Sequence, residues 1–296
     1  FSVNLSGLSD MLEGHSHVFL DQKVDFLEAI TMGIVEQANT YTVIHPTTME
    51  PLMIVKEKSN PVTRCCCAPL NSLTLEFAPA SAPGDVVYTA ERPGCCTARP
   101  QICCFTCADS CADKMVLHKG NPQGCAGELL APSPLLMVRQ ENAFESPFNP
   151  AFEIMPKGEG EEFLQATHKM SGPMCFGGCI ELCCDSEFNV VDMKSGSAAG
   201  RITKLKPENM TDAAKEMLTD ADRYRIDFGE GMSNETKAGV LTSSLLIDYM
   251  FFEQDLGVCK PKLGGGCSTT LFNCYCCGCI CPCSCSTGDK KDEGGA

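Results

Sequence analysis

Hydrophobic and polar residues alternate in many short runs between positions 41 and 228. In Leu73–Phe77 (LTLEF) the three apolar side chains face one way, while Thr74 and Glu76 face the other. This two-residue period is that of a half-buried strand, and Pro, Gly and Asn separate the runs. The predicted strands are Tyr41–Ile44, Leu52–Glu57, Leu73–Phe77, Val86–Ala90, Met115–His118, Leu135–Gln140, Ala151–Met155, Glu162–Thr167, Cys179–Cys183, Asn189–Asp192, Gly200–Lys204 and Arg223–Phe228.

Two other stretches have helical spacing. In Phe19–Val35 apolar residues recur every three or four positions, which predicts a helix within an N-terminal lead-in of residues 1–37. A shorter helix is predicted at Pro207–Leu218, because proline suits the first turn of a helix.

The longest apolar run, AGVLTSSLLIDYMFF, lies at Ala238–Phe252. It predicts a helix over residues 234–254, with Ser233 as its N-cap. A membrane-spanning helix needs about 20 apolar residues, so this run is short for that purpose. A helix that is apolar on most sides must be surrounded by other apolar material.

Many short strands in one domain imply a sandwich or a closed barrel. A barrel of about twelve strands has room for a helix, whereas an eight-stranded barrel is filled by its own side chains. The sequence therefore predicts a mainly β domain over residues 38–258, in which a closed barrel of about twelve strands surrounds a central C-terminal helix. A Cys-rich tail, residues 259–296, follows it.

The charge balance narrows the classes of partner. The 296 residues carry a net charge of -15. Nucleic-acid binding needs a surplus of Lys and Arg, and so does electrostatic docking on an anionic membrane leaflet. We therefore expect no nucleic-acid partner, and we expect any membrane contact to rest on apolar surface or covalent lipid.

The 23 cysteines lie largely in adjacent groups, and their number is odd. No signal peptide is visible at Phe1–Leu20. Both features favour reduced, cytosol-facing thiols over a secreted disulfide framework. Hydrolase and phosphate-loop motifs are absent from the sequence, so nothing in it predicts hydrolytic or phosphoryl-transfer chemistry.

Four stretches together resemble the phospholipid scramblase family. They are QKVDFLEAITMGIVEQANTYTV at Gln22–Val43, GCIELCCDSEFNV at Gly178–Val190, LTDADRYRIDF at Leu218–Phe228 and LLIDYMFFE at Leu245–Glu253. The resemblance implies a Tubby-like barrel of twelve strands around a central helix. It also implies a membrane-associated protein that moves phospholipids between leaflets in both directions, dependent on Ca²⁺ and without covalent chemistry or ATP.

The segment Asp220–Gly231 is a candidate Ca²⁺ loop, because Ca²⁺ prefers six to eight oxygen ligands. The candidate residues are Asp220, Asp222, Tyr224, Ile226, Phe228 and Glu230. The competing interpretation is structural, since the residues at 224, 226 and 228 alternate as one buried face of a strand.

An inner group of cysteines lies where the family carries its S-acylated cluster. Its members are Cys95, Cys96, Cys103, Cys104, Cys107 and Cys111. Several acyl chains give stable anchoring where one gives only reversible binding. The alternatives are a Zn²⁺ site, which the spacing of the last three cysteines partly fits, and free packing thiols.

The tail repeats cysteine at almost every second position. Its cysteines are Cys274, Cys276, Cys277, Cys279, Cys281, Cys283 and Cys285. S-acylation and soft-metal binding both remain open for them. Apolar spacers are scarce, so the tail is expected to build no core of its own.

The predicted helix contains a few polar residues, among them Ser243, Ser244 and Asp248. In a transport protein such residues usually mark a path for polar groups, here lipid headgroups. A second hypothesis is a membrane-tethered scaffold or structural subunit of a larger assembly, which uses the barrel to bind protein partners and transports nothing.

Overall fold

A computed structural model describes residues 11–23, 38–59, 72–93, 112–120, 133–160, 162–207, 222–252, 259–261 and 267–287. The strands are β1 His17–Lys23, β2 Thr40–Ile44, β3 Pro51–Ser59, β4 Leu73–Pro79, β5 Tyr88–Arg92, β6 Lys114–Lys119, β7 Ser133–Gln140, β8 Ala151–Pro156, β9 His168–Ser171, β10 Cys175–Phe176, β11 Ser186–Asp192, β12 Ala198–Lys204, β13 Arg223–Phe228, β14 Cys259–Pro261, β15 Cys267–Cys276 and β16 Cys279–Thr287.

Twelve of these strands form a closed antiparallel barrel. Their order around it is β1-β13-β12-β11-β9-β8-β7-β6-β5-β4-β3-β2, and β1 closes the ring by pairing with both β13 and β2. Closure leaves no unpaired edge, so the backbone hydrogen bonds run all the way round. The predicted mainly β architecture, a twelve-stranded closed barrel with a C-terminal helix, is confirmed.

Two of the predicted strands are wrong. Glu162–Thr167 is a loop with one isolated bridge, and the barrel strand in that region is β9, which begins at His168. Cys179–Cys183 falls largely in a 3-10 helix, Gly178–Leu182. The other ten predictions overlap β2 to β8 and β11 to β13.

The missing twelfth strand is β1, where the sequence predicted a helix. Phe19–Lys23 pairs with β2, and His17–Asp21 pairs with β13, so the predicted helix Phe19–Val35 is wrong in its first turns. Its remainder, residues 24–35, lies outside the described residues, as does the predicted helix after Pro207. The boundaries drawn at residues 37 and 258 stay a prediction.

The apolar run forms α1, Asn234–Ile247, which continues as a π-helical segment, Asp248–Phe252. Ser233 caps it as predicted, because its Oγ accepts a hydrogen bond from the backbone N–H of Thr236. Residues 237–252 are all buried.

The barrel encloses this helix. Its side chains and its glycine touch strands from around the ring: β2 at Tyr41, β3 at Glu57, β7 at Leu136, β8 at Phe152 and Ile154, β11 at Phe188 and β13 at Tyr224. Within the described part of the chain, no helix is long and apolar enough to span a bilayer.

The tail forms a second sheet against the barrel. β15 pairs with β16 along one edge and with β14 and β10 along the other. Cys277 and Gly278 make a two-residue turn with positive φ at both positions, which matches the twist of a hairpin. Tyr275 is 1% exposed and packs edge-to-face on Phe251 of the enclosed helix, so the tail contributes a residue to the barrel core.

Candidate functional site

A buried carboxylate lies where α1 passes into its π-helical segment. Asp248 is completely buried, and two tyrosines donate hydrogen bonds to it. The hydroxyl of Tyr41 on β2 lies 2.6 Å from Oδ2, and that of Tyr224 on β13 lies 2.6 Å from Oδ1. The two strands that flank β1, β2 and β13, therefore hold one side chain of the helix.

A buried lysine extends this arrangement along β12. Lys204 Nζ lies 2.8 Å from Asp222 and 2.7 Å from Glu181. The same ammonium group lies 4.1 Å from the ring centroid of Phe252, a cation–π contact with the end of the helix. The Tyr224 hydroxyl is 3.5 Å from Asp222, which joins the lysine cluster to Asp248.

Burial sets the protonation of these groups. It raises the pKa of Asp248 to about 7, with the charge of Asp222 adding to the effect and the tyrosine hydrogen bonds opposing it. Burial, followed by the neighbouring carboxylates, raises the pKa of Tyr224 well above its usual value, so this residue remains a donor. Burial opposes the charge of Lys204, but Asp222 and Glu181 together raise its pKa and keep it protonated.

Further polar pairs complete the same end of the barrel. Arg92 at the end of β5 makes two hydrogen bonds, of 3.1 and 2.6 Å, to the buried Asp113. Glu57 on β3 accepts a 2.9 Å hydrogen bond from the hydroxyl of Tyr249. The C-terminal end of the helix is thus fixed to the barrel wall by charge-assisted hydrogen bonds on several sides.

The remaining hydroxyls of the helix bond within the helix itself. Thr242, Ser243 and Ser244 donate to the carbonyls of Ala238, Gly239 and Leu241, at 2.8, 2.7 and 2.7 Å. Such internal bonds satisfy the hydroxyls without an outside partner. The predicted polar residues of the helix therefore lie inside the barrel as internally satisfied groups.

The Scramblase family profile matches residues 3–254. The chain belongs to the Scramblase family. It is 28% identical over 240 residues to phospholipid scramblase 2 of Bos taurus, and these residues make up 81% of this chain and 69% of that protein. It is 28% identical over 236 residues to phospholipid scramblase 1 of Homo sapiens, and these residues make up 80% of this chain and 63% of that protein. The match to the human protein thus spans less than two thirds of its length.

Like the whole barrel, the candidate Ca²⁺ residues lie in the part of the chain that this family profile matches. Asp222 faces Lys204, whereas Tyr224, Ile226 and Phe228 are buried as the inward face of β13, and Glu230 is exposed beyond the strand. Since a strand rises about 3.3 Å per residue, positions 222 and 228 lie about 20 Å apart. Asp220 lies outside the described residues. The described members are not gathered around one point, and Ca²⁺ binding stays a prediction.

The inner cysteines, Cys95 to Cys111, all lie outside the described residues. The tail cysteines lie on the β15–β16 hairpin, where Cys274 is opposite Cys281 and Cys276 is opposite Cys279. The alternation of a strand places these four on one face together with Cys283. Among the described residues, no group of three or more His, Cys, Asp or Glu side chains is placed to hold a metal ion.

Sequence reasoning missed the residues that hold Asp248 and the lysine cluster. Tyr41, Lys204 and Glu181 carry no motif, and Tyr224 was considered only as a Ca²⁺ ligand or as an apolar strand residue. One signal was available: Tyr41 and Tyr224 stand at inward positions of alternating strands, where a hydroxyl needs a polar partner. Asp248 is the one carboxylate in the apolar run Ala238–Phe252, and so the one anionic acceptor that the run offers to them.

Proposed function

We propose that this protein moves phospholipids between the two leaflets of a membrane, in both directions and in response to Ca²⁺, without covalent chemistry or ATP hydrolysis. The observation that carries the proposal is the Scramblase family match over residues 3–254, together with relatives named phospholipid scramblases. Phospholipid membranes are then its substrate and its partner.

The enclosed helix limits how such transport can work. The hydroxyls of Thr242, Ser243 and Ser244 bond internally and Asp248 is held by two tyrosines, so these polar groups of the helix are already engaged inside the barrel. Headgroups would therefore pass along the outside of a barrel seated on the leaflet, or the helix would have to leave the barrel first. The second route breaks several buried hydrogen bonds to charged groups, each contributing about 1.5–3 kcal/mol, so we favour the first.

A lipid-flip assay tests the proposal. The full chain is reconstituted into vesicles that contain a fluorescent phospholipid, and the outer leaflet is bleached with dithionite in Ca²⁺ or in a chelator. We expect bleaching beyond the outer-leaflet fraction in Ca²⁺ and a slower rate in chelator. A rate equal to that of protein-free vesicles under both conditions would contradict transport, and an equal accelerated rate under both would contradict only the Ca²⁺ dependence.

A second candidate function is a membrane-tethered scaffold or assembly subunit. The observation that favours it is the complete burial of residues 237–252, which makes the helix a structural core. A chain that binds vesicles but gives no flip above the protein-free rate would support this alternative.

Covalent attachment to a cytosol-facing membrane forms part of both proposals. The inner cysteines Cys95 to Cys111 and the exposed tail cysteines are the proposed S-acylation sites, and Zn²⁺ binding is the alternative at either group. Intact-mass spectrometry before and after hydroxylamine separates the two, because thioesters are cleaved with a mass loss. A metal analysis of the same protein reveals zinc if thiolates hold it.

A further inference from the structure

Three large apolar side chains are exposed close to one end of the barrel. Phe144 is 79% exposed and Phe148 58% exposed, both in the connection between β7 and β8, and Met174 before β10 is 49% exposed. Single exposed apolar residues are common on protein surfaces, but contiguous ones mark binding surfaces.

Hydrogen bonds tie the three segments together. The N–H of Cys277, in the hairpin turn, donates to the carbonyl of Pro147 at 2.6 Å, and the N–H of Tyr275 donates to that of Met174 at 2.8 Å. The side chain of Asn149 donates to the carbonyl of Gly172 at 2.9 Å. We call this joined surface the apolar tip, defined by Phe144, Phe148, Met174 and the turn of Cys277 and Gly278.

The connection that carries the two phenylalanines is itself held in shape. The side-chain oxygen of Asn142 accepts from the N–H groups of Phe144 and Glu145 at 3.0 and 3.1 Å. Glu141 forms an ion pair with Lys169 on β9. The exposed rings are therefore presented by a fixed turn, which lowers the entropy lost when they bind.

The tail side of the apolar tip is uncharged. Residues 267–287 contain no Asp, Glu, Lys or Arg, and neither do residues 172–180, although 21% of the whole chain is charged. An acidic or basic partner would find no complementary charge on this side, and Glu145, exposed beside Phe144, is the one charged residue between the two phenylalanines. An electroneutral occupant that accepts phenyl, thioether and thiol groups fits this composition, and the interfacial layer of a bilayer is such an environment.

The apolar tip lies at the end of the barrel where the enclosed helix finishes. β7 ends at Gln140, which bonds to Tyr275, and β8 begins beside Phe152, which packs on Phe251. β5 also ends here, since Arg92 lies over the ring of Tyr249. The end of β5 and the start of β6, which border the inner cysteines in sequence, thus lie at the same end of the barrel as the apolar tip.

We propose that the apolar tip docks the protein on the surface of a phospholipid bilayer, with Phe144 and Phe148 inserted among the acyl chains. This inference rests on the proposed membrane function and adds the surface that makes the contact. The hairpin lies beyond the residues that the family profile matches, which end at residue 254. Because the docking is apolar, it requires neither anionic lipid nor low salt.

The chain contains no Trp, which allows a single-site reporter. Phe148→Trp places the probe in the apolar tip, and Leu164→Trp places it at the opposite end of the barrel, where Leu164 is 53% exposed. Unacylated full-length protein with reduced thiols is mixed with vesicles of phosphatidylcholine alone, or of equal parts phosphatidylcholine and phosphatidylserine. We expect the Phe148→Trp emission to shift to the blue and to be quenched by bromines on the acyl chains, equally in both lipids, and the Leu164→Trp emission to stay unchanged.

Alanine variants measure the contribution of the rings. The pair Phe144→Ala and Phe148→Ala should weaken partitioning onto the vesicles about ten-fold or more, because each ring loses most of its apolar transfer energy. The matched pair Met49→Ala and Leu164→Ala, exposed at the other end, should bind as the native chain does. Equal quenching of both tryptophan probes, or native binding by the Phe144 and Phe148 pair, would overturn the proposal.

Two further outcomes separate this inference from the transport proposal. Loss of docking in the phenylalanine pair, combined with no lipid flip by the native chain, would leave docking standing and remove transport. Native vesicle binding by the phenylalanine pair, combined with lipid flip by the native chain, would leave transport standing and remove docking. A dimer that the phenylalanine pair abolishes, without any vesicle binding by the native chain, would overturn docking and identify a second copy as the occupant.

Discussion

Asp248 should make the stability of the barrel depend on pH in a way that one substitution can isolate. The perturbation is Asp248→Asn, which keeps the shape of the side chain and cannot titrate. Its amide can still accept from one tyrosine hydroxyl and donate to the other. Its charged surroundings, Asp222 and Lys204, are the same in both proteins, so the difference between the native chain and the variant reports the carboxyl itself.

The magnitude follows from the pKa of Asp248. Burial raises it from 3.8 in the unfolded chain to about 7 in the folded protein. Between these values the folded state holds a proton that the unfolded state has released, so the stability of the native chain falls as the pH rises, and it levels off above pH 7. Three pH units at about 1.4 kcal/mol each give a total loss of roughly 4 kcal/mol.

Denaturant unfolding of both proteins at several pH values between about 5 and 8 measures this. The stability of Asp248→Asn relative to the native chain should rise by roughly 3 kcal/mol across that range, since about two pH units of it lie below pH 7. Tyr224→Phe should do the opposite, and cost more at pH 8 than at pH 5, because it then removes a bond to a charged acceptor. A difference for Asp248→Asn that is constant with pH, or that falls, would refute the reasoning.

Other substitutions test the packing of the helix, the tail and the lysine cluster. Gly239→Ala brings a methyl carbon within 2.9 Å of a β8 isoleucine and should destabilise the fold by about 1–3 kcal/mol in denaturant unfolding. The control Gly84→Ala, in open space, should change the stability by less than about 0.5 kcal/mol. Equal effects of the two substitutions would contradict a tightly enclosed helix. Tyr275→Ala should release the tail hairpin, seen as faster proteolysis of β15 and β16 with the barrel intact, and an unchanged cleavage pattern would contradict its anchoring role. Asp222→Asn removes one of the two carboxylates at Lys204 and should lower the free energy of unfolding by about 3 kcal/mol. Unchanged stability in calorimetry would contradict this prediction.

Alternation revealed the barrel wherever each strand buries one face and exposes the other. Arg223–Phe228 was predicted to the residue, because Tyr224, Ile226 and Phe228 all point inward. β1 was hidden because an outward residue, Phe19, is also apolar and lies beneath the guanidinium of Arg223. Phe19 and Leu20 then fitted the apolar spacing of three and four residues that predicted a helix over Phe19–Val35, and only the pairing of β1 with β2 and the distant β13 decides the matter.

The tail and the polar cluster depend on contacts that local sequence does not contain. The tail has few apolar residues, yet it packs on the barrel through Tyr275 and through β10, whose Cys175 lies 99 positions before Cys274. Asp248 was visible as a polar residue in an apolar run, but its partner Tyr41 lies 207 positions away. Such pairs follow from the closure of the barrel.

Photolabelling from within the bilayer tests the central claim most directly, namely that the helix stays enclosed in the barrel while the protein meets the membrane. Vesicles carrying a diazirine on the acyl chain are mixed with the full chain and irradiated, and the labelled residues are mapped by mass spectrometry. An enclosed helix predicts label at Phe144 and Phe148 and none in residues 237–252. Label concentrated in residues 237–252 would contradict the account and place the helix in the lipid.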